Sequence, residues 1–98
     1  MKYTKKDAEK LLSLTEKCLD DPDIMADDKL NLLIGDLNQK ITYQKRYKNL
    51  TPLRKQAGVY VRNHGFMMPK PLNDLLSTLN EVNVRQSSKH GWLQGFLN

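Results

Sequence analysis

The sequence predicts an all-α fold, an antiparallel up-down-up-down four-helix bundle followed by a C-terminal tail. Three observations predict it. Leucine dominates the apolar residues, and leucine is a good helix former. β-branched residues never gather into the alternating runs of a strand. In four separate stretches the apolar residues recur with a period near 3.6, as on one face of a helix. With 98 residues, 39% of them hydrophobic, the chain is expected to fold as a single domain, 1–98, around one modest core.

The first helix is predicted over 5–20. Thr4 is a good N-cap, and Asp7 stands three residues on, as in a capping box. Ala8, Leu11, Leu12, Thr15, Cys18 and Leu19 form its inner stripe, while Asp7, Glu9, Lys10 and Glu16 face water. Asp20-Asp21-Pro22 ends it, because proline restricts the residue before it. Residues 21–27 read as a linker, short enough to keep Ile24 at the core. Asp27 or Asp28 then caps a second helix, 28–47, which runs to about Tyr43 or Tyr47, with Leu30, Leu33, Ile34, Leu37 and Ile41 inside. Gly35 lies within it, as a close helix contact or as a plain surface residue. The basic run KITYQKRYKN suits a helix C-terminus.

Thr51 as cap and Pro52 at the first helical position begin a third helix, 52–64. Leu53, Ala57, Tyr60, Val61 and His64 form its inner face; Arg54, Lys55 and Arg62 lie outside. Gly65 breaks the pattern, and Phe66, Met67 and Met68 follow as an apolar link. Pro69 and Pro71 frame the start of a fourth helix, 71–83. Leu72, Leu75, Leu76, Leu79 and Val82 are its stripe. The loop before it is short, so it is expected to return antiparallel to the third. Beyond Asn83 the register fades. The tail, 84–98, turns apolar again at Trp92, Leu93, Phe96 and Leu97, and either docks on the bundle as a short helix or meets a partner.

No motif for chemistry stands out, and the chain is not expected to be an enzyme. His64 and His90 are isolated, and no metalloprotease, P-loop or dinucleotide motif occurs. Cys18 and His64 lack a third group to orient them as a nucleophile pair. The lone Cys18 reads as a buried small hydrophobe. The acids Asp20, Asp21, Asp23, Asp27 and Asp28 lack the Gly and terminal Glu of a calcium loop, so no metal and no cofactor is expected. The absence of a disulfide framework fits a reducing compartment. The basic start leads into DAEKLLSL and not into a long apolar core, so no export signal is expected. No apolar run approaches a membrane span. The protein is expected to be cytoplasmic and monomeric.

Charge is the feature that points to partners. The net charge of +5 divides into −3 over residues 1–37 and +8 over 38–98. Lys40, Lys45, Arg46, Lys48, Arg54 and Lys55 are interleaved with Tyr43 and Tyr47. Lys40, Tyr43 and Tyr47 are expected on one helix face. Such a patch suits an anionic membrane surface, an acidic protein or nucleic-acid phosphates. As a nucleic-acid module it is unconvincing. The second of the two helices, 52–64, offers only Arg54, Lys55, Gln56, Arg62 and Asn63 as base readers.

The layout resembles the pediocin-like (class IIa) bacteriocin immunity proteins, the enterocin A immunity protein family. The resemblance runs over residues 5 to about 83. It rests on the leucine-rich first helix, on DDPDI near residue 21, and on the leucine-rich second helix. It is strongest at Phe66-Met67-Met68-Pro69 followed by Pro71-Leu72-Asn73-Asp74-Leu75-Leu76-Ser77-Thr78-Leu79. The family implies a cytosolic four-helix bundle that protects a lactic acid bacterium or a relative against its cognate bacteriocin. It implies action from the inner side of the membrane on the bacteriocin–receptor complex, the receptor being the membrane components of the mannose phosphotransferase system. Pore opening is thereby blocked, and the C-terminal part selects the bacteriocin.

On that resemblance, Arg85, Lys89, His90, Trp92, Leu93, Phe96 and Leu97 are expected to form a specificity tail. Lys45, Arg46, Lys48, Arg54, Lys55 and Arg62 are expected to form a basic face that touches the inner membrane surface. The alternative reading is a small basic helical module that binds nucleic acid or a regulatory protein partner.

Overall fold

A computed structural model describes residues 3–47 and 50–97, with side chains described as far as 84. Among the described residues the chain is all-helical, with α1 at Lys5–Leu19, α2 at Pro22–Met25, α3 at Asp28–Thr42, α4 at Leu50–Asn63 and α5 at Lys70–Leu97. In space the long helices follow the order α4, α3, α1, α5. Although consecutive, α4 and α5 pack more on α3 and on α1 than on each other.

Helix α1 starts as its sequence requires. Thr4 Oγ1 accepts from the Asp7 N–H at 3.1 Å, and the Asp7 carboxylate accepts from the Thr4 N–H at 3.2 Å. Two of the unpaired donors of the first turn are satisfied this way. Leu11, Leu14, Thr15 and Cys18 are buried; Ala8, Leu12 and Leu19 are half-buried. Leu14 was not on the expected stripe, because burial on two sides, by α3 and α5, widens it.

The segment 21–27 is more than the expected linker. It folds into the single turn α2, so the described residues form five helices instead of four. Asp21 makes the turn possible: its side chain accepts from the N–H groups of Asp23 at 2.9 Å and Ile24 at 3.3 Å, and Pro22 fills the first helical position. Asp27 likewise caps α3 through the Leu30 N–H at 3.0 Å. Ile24 reaches the core and is 0% exposed, as expected of an apolar residue in so short a link.

Helix α3 ends at Thr42 with Tyr43 as its C-cap, at the earlier of the two expected ends and five residues short of the later limit of 47. The chain turns at Gln44, whose φ of 56° is left-handed, and the Lys45 N–H returns to the Lys40 carbonyl at 2.7 Å. This helix-ending turn normally uses glycine at the left-handed position. With glutamine there, the sequence carries no signal of it. The turn also overturns the shared helix face of Lys40, Tyr43 and Tyr47. Tyr43 is exposed, whereas Tyr47 leaves the helix and is buried in the core, its hydroxyl 3.5 Å from the Leu33 carbonyl.

Helix α4 begins at Leu50, so Thr51 is helical and does not cap. Half-buried Leu50 packs on the core, and extending the helix by two residues brings it there. At the other end Gly65, φ 67°, takes the left-handed position expected of a helix-ending glycine, and the Phe66 N–H bonds the Val61 carbonyl at 2.8 Å.

Helix α5 runs to Leu97 as one backbone helix. The tail therefore continues the fourth predicted helix past 83 and is not a separate short one. Neither Pro nor Gly occurs between Leu72 and His90, so nothing stops propagation where the apolar stripe ends. At 1.5 Å per residue its 28 residues span about 42 Å, close to the longest extent of the molecule, 43 Å.

The core is one cluster. It joins Leu11, Leu14 and Cys18 to Ile24, to Leu30, Ile34, Leu37 and Ile41, to Tyr47, to Leu53, Ala57 and Tyr60, and to Leu72, Leu75 and Leu79. Among the described residues every buried side-chain nitrogen and oxygen has a hydrogen-bond partner. Neither helix-interior glycine is at a close contact: a Cβ on Gly35 or Gly58 would meet nothing within 4 Å. Gly35 is therefore the plain surface residue of the two readings. Gly35→Ala and Gly58→Ala should each raise stability by roughly 0.5–1 kcal/mol. Urea unfolding of the single and double variants measures this, and a loss of stability in either would show a contact the fold does not provide.

Candidate functional site

The residues expected to form a basic face are all exposed where described, and they lie on two segments, the link after α3 and helix α4. Lys45 and Arg46 sit in the link after α3; Lys48 lies outside the described residues. Arg54 and Lys55 are on the first turns of α4, where Arg54 bonds the Asn80 side chain of α5 at 3.4 Å. Arg62 is in the last turn of α4, about 10 Å further along its axis. Of the proposed tail, Arg85, Lys89, His90, Trp92, Leu93, Phe96 and Leu97 lie on the backbone of α5, but their side chains are outside the described residues.

One cavity joins part of the basic set to residues that the sequence reading did not select. It is a groove of about 710 Å³ between the start of α1 and the end of α3. Its apolar lining is Tyr3, Ala8, Leu12 and Ile41; Lys5, Lys45 and Arg46 supply positive charge, and among the described residues Glu9 is the one acid of the lining. Tyr3 builds one wall. Its hydroxyl donates towards the carbonyls of Lys40 at 3.2 Å and Lys45 at 2.9 Å, fixing the start of α1 beside the end of α3. Tyr3 precedes the N-cap, outside any periodic stripe, so periodicity alone gave it no role. Its signal was an aromatic residue immediately before a capping box, a position suited to packing against the bundle.

At the opposite end, Asp23, Ala26, Asp27, Asp28, Lys29 and His64 line a smaller cavity of about 310 Å³. The aspartates there belong to helix starts: Asp27 caps α3 and also accepts from the Gln56 amide at 3.2 and 3.3 Å, while Asp23 and Asp28 lie in the first turns of α2 and α3. Among the described residues no group of three His, Cys, Asp or Glu is placed to hold a metal ion. His64 is exposed and stacks on Tyr60 with ring centroids 3.9 Å apart, its Nδ1 at 2.8 Å from the Tyr60 carbonyl. Nearby, Phe66 is 80% and Met67 74% exposed, and Phe66 holds a left-handed φ of 62°. The expected apolar link is thus largely uncovered.

Cys18 is fully buried, and its thiol is pushed up to about 12, first by burial and then by the Asp21 and Asp74 carboxylates. A thiol so held is a poor nucleophile, since the thiolate is the reactive form. Tyr47 is also raised, by burial and then by Asp36; Tyr3 and Tyr60 are raised chiefly by burial. All four groups favour the protonated form in the folded chain. Their contribution to stability is present below the unfolded values, roughly 8.5 for Cys and 10 for Tyr, and is lost as pH rises through the folded ones. The melting temperature should therefore hold near pH 8 and fall increasingly above about pH 9. Cys18→Ala should flatten the early part of that fall. Thermal melts from pH 7 to 11 test this, and a flat profile would contradict it.

Among the described residues no helix is long and apolar enough to cross a membrane. Comparison with protein families, with curated proteins and with solved structures finds no match to this chain.

Proposed function

We propose that the protein is an immunity protein of the pediocin-like bacteriocin type, acting from the cytosolic side on the complex of bacteriocin and membrane receptor. In this reading the long helices form an up-down-up-down antiparallel four-helix bundle, with α2 a single turn inserted between the first two. Support for the alternating directions comes from the ends that meet. Tyr3, before α1, bonds carbonyls at the end of α3. Arg54, early in α4, reaches Asn80, well along α5.

The observation that carries the function is helix α5. It is nearly twice the length of α1 and holds residues 84–97 on the same axis as the leucines packed in the core. A partner-binding tail mounted this way loses less conformational freedom on binding than a free one. Arg85, Lys89, His90, Trp92, Leu93, Phe96 and Leu97 would select the bacteriocin complex, with the aromatic residues as anchors. The exposed Lys45, Arg46, Arg54, Lys55 and Arg62, with Lys48, would favour the anionic inner leaflet. The receptor would be the membrane components of the mannose phosphotransferase system.

The test is protection. The chain is expressed inside a strain sensitive to pediocin-like bacteriocins, which is then challenged with a panel of them. Resistance to one or a few is expected. Its loss on removal of 84–98, in a shortened protein that circular dichroism shows to be folded, would place selection in the tail. Full expression without resistance across the panel would defeat the proposal. A salt-sensitive shift of a short DNA duplex by the purified protein would then favour the nucleic-acid alternative.

A further inference from the structure

We infer that the groove between α1 and α3 binds a free single-chain carboxylate amphiphile, its alkyl chain along the groove and its carboxylate at the cationic mouth. The apolar part comes first. Tyr3, Ala8 and Leu12 are only half-buried, so the described residues leave a strip of apolar surface uncovered inside a concave site. Ile41 closes the floor from α3. A volume of about 710 Å³ falls among small-molecule sites.

The strip sets the length of the ligand. From Lys5 to Leu12 is seven residues along α1, about 10 Å, which matches an extended alkyl chain of about eight carbons. The charge sets its head. Lys5, Lys45 and Arg46 face one acid, Glu9, around the same groove, so an anion is favoured there. A guanidinium suits a carboxylate through paired hydrogen bonds.

The walls are built to stay open. The Tyr3 hydroxyl is engaged by two carbonyls, which leaves its ring as apolar wall. Gln44 lines the groove and holds a left-handed backbone that costs a non-glycine residue energy. That turn brings Lys45 and Arg46 to the groove, where a helix continued to 47 would carry them along the α3 axis. Strain of this kind tends to gather where a chain positions binding groups. The inference rests on the groove alone and stands or falls independently of the immunity reading.

The test is calorimetric and NMR titration of the full chain with hexanoate, octanoate and decanoate, each below its micelle concentration. Affinity should rise by up to roughly fourfold per added methylene until the groove is filled. Acetate should not bind, and decanol should bind about tenfold more weakly than decanoate. The amide shifts should centre on residues 3–12 and 41–46. Ala8→Phe, which fills the groove, should abolish binding. The exposed double variant K45E/R46E, with its melting temperature checked, should weaken decanoate by about tenfold or more. No saturable binding, equal binding of decanol, or full binding by both variants would overturn the inference. So would binding seen only after removal of 84–98, which would make the chain's own tail the occupant. Shifts that appear only with anionic phospholipid vesicles would also overturn it, in favour of a membrane contact.

Discussion

Ile24→Ala is expected to cost about 2–5 kcal/mol, a large part of the roughly 5–15 kcal/mol that holds a domain of this size together. The residue sits in a helix of four residues, which has no stability of its own. What fixes it is the Asp21 cap below and the wholly buried isoleucine above. Truncating Ile24 removes apolar surface from the cluster that joins α1, α3 and α4, and leaves a cavity that caps and helix ends on both sides cannot easily collapse. Met25, its neighbour, is 54% exposed, and Met25→Ala should change stability by less than about 0.5 kcal/mol. Urea unfolding of the two variants makes the comparison internal. Equal effects would mean that α2 is a passive connection and not an anchor.

The second large effect is expected at Thr15, a polar residue buried in the middle of α1. Its hydroxyl donates to the Leu12 carbonyl at 2.8 Å and accepts from the Asn38 amide of α3, also at 2.8 Å. Thr15→Val keeps the shape and deletes both bonds. The Leu12 carbonyl keeps its helical partner, but the Asn38 amide loses an acceptor in a partly buried site. A loss of about 1–3 kcal/mol follows. Asn38→Leu in the Thr15→Val background should recover part of it, because no donor then remains to be satisfied. A double-mutant cycle gives the coupling, and additive effects would show that the pair contributes nothing as a pair.

Much of this architecture was legible in the chain because helix stripes record burial. Leu30, Ile34, Leu37 and Ile41, like Leu72, Leu75, Leu79 and Val82, are buried as their spacing requires. Thr4 with Asp7, Asp27, and Gly65 each mark a helix end by their own side-chain or backbone chemistry. The misses share a physical cause. Gln44 takes a left-handed turn because Tyr3 and the core can hold Tyr43 to Tyr47 in place, a tertiary effect with no local signature. Helix α5 passes 83 because periodicity reports a buried face and not the helix itself. The groove was missed for a related reason. Tyr3, Lys5 and Ala8 precede Lys45 and Arg46 by about forty residues, and only the pairing of α1 with α3 brings them together.

The placement of sulfur has a chemical consequence. Among the described residues no methionine belongs to the buried core: Met25 and Met67 are exposed, and Met68 lies at its edge. Peroxide should therefore convert Met67 and Met25 to sulfoxides while the leucine and isoleucine packing stays intact. Mass spectrometry would show added oxygen with an almost unchanged melting curve. Oxidation, which softens proteins whose cores are filled with methionine, would here write only on the outside. The rate at Met67 would then report whether anything has come to lie over Phe66.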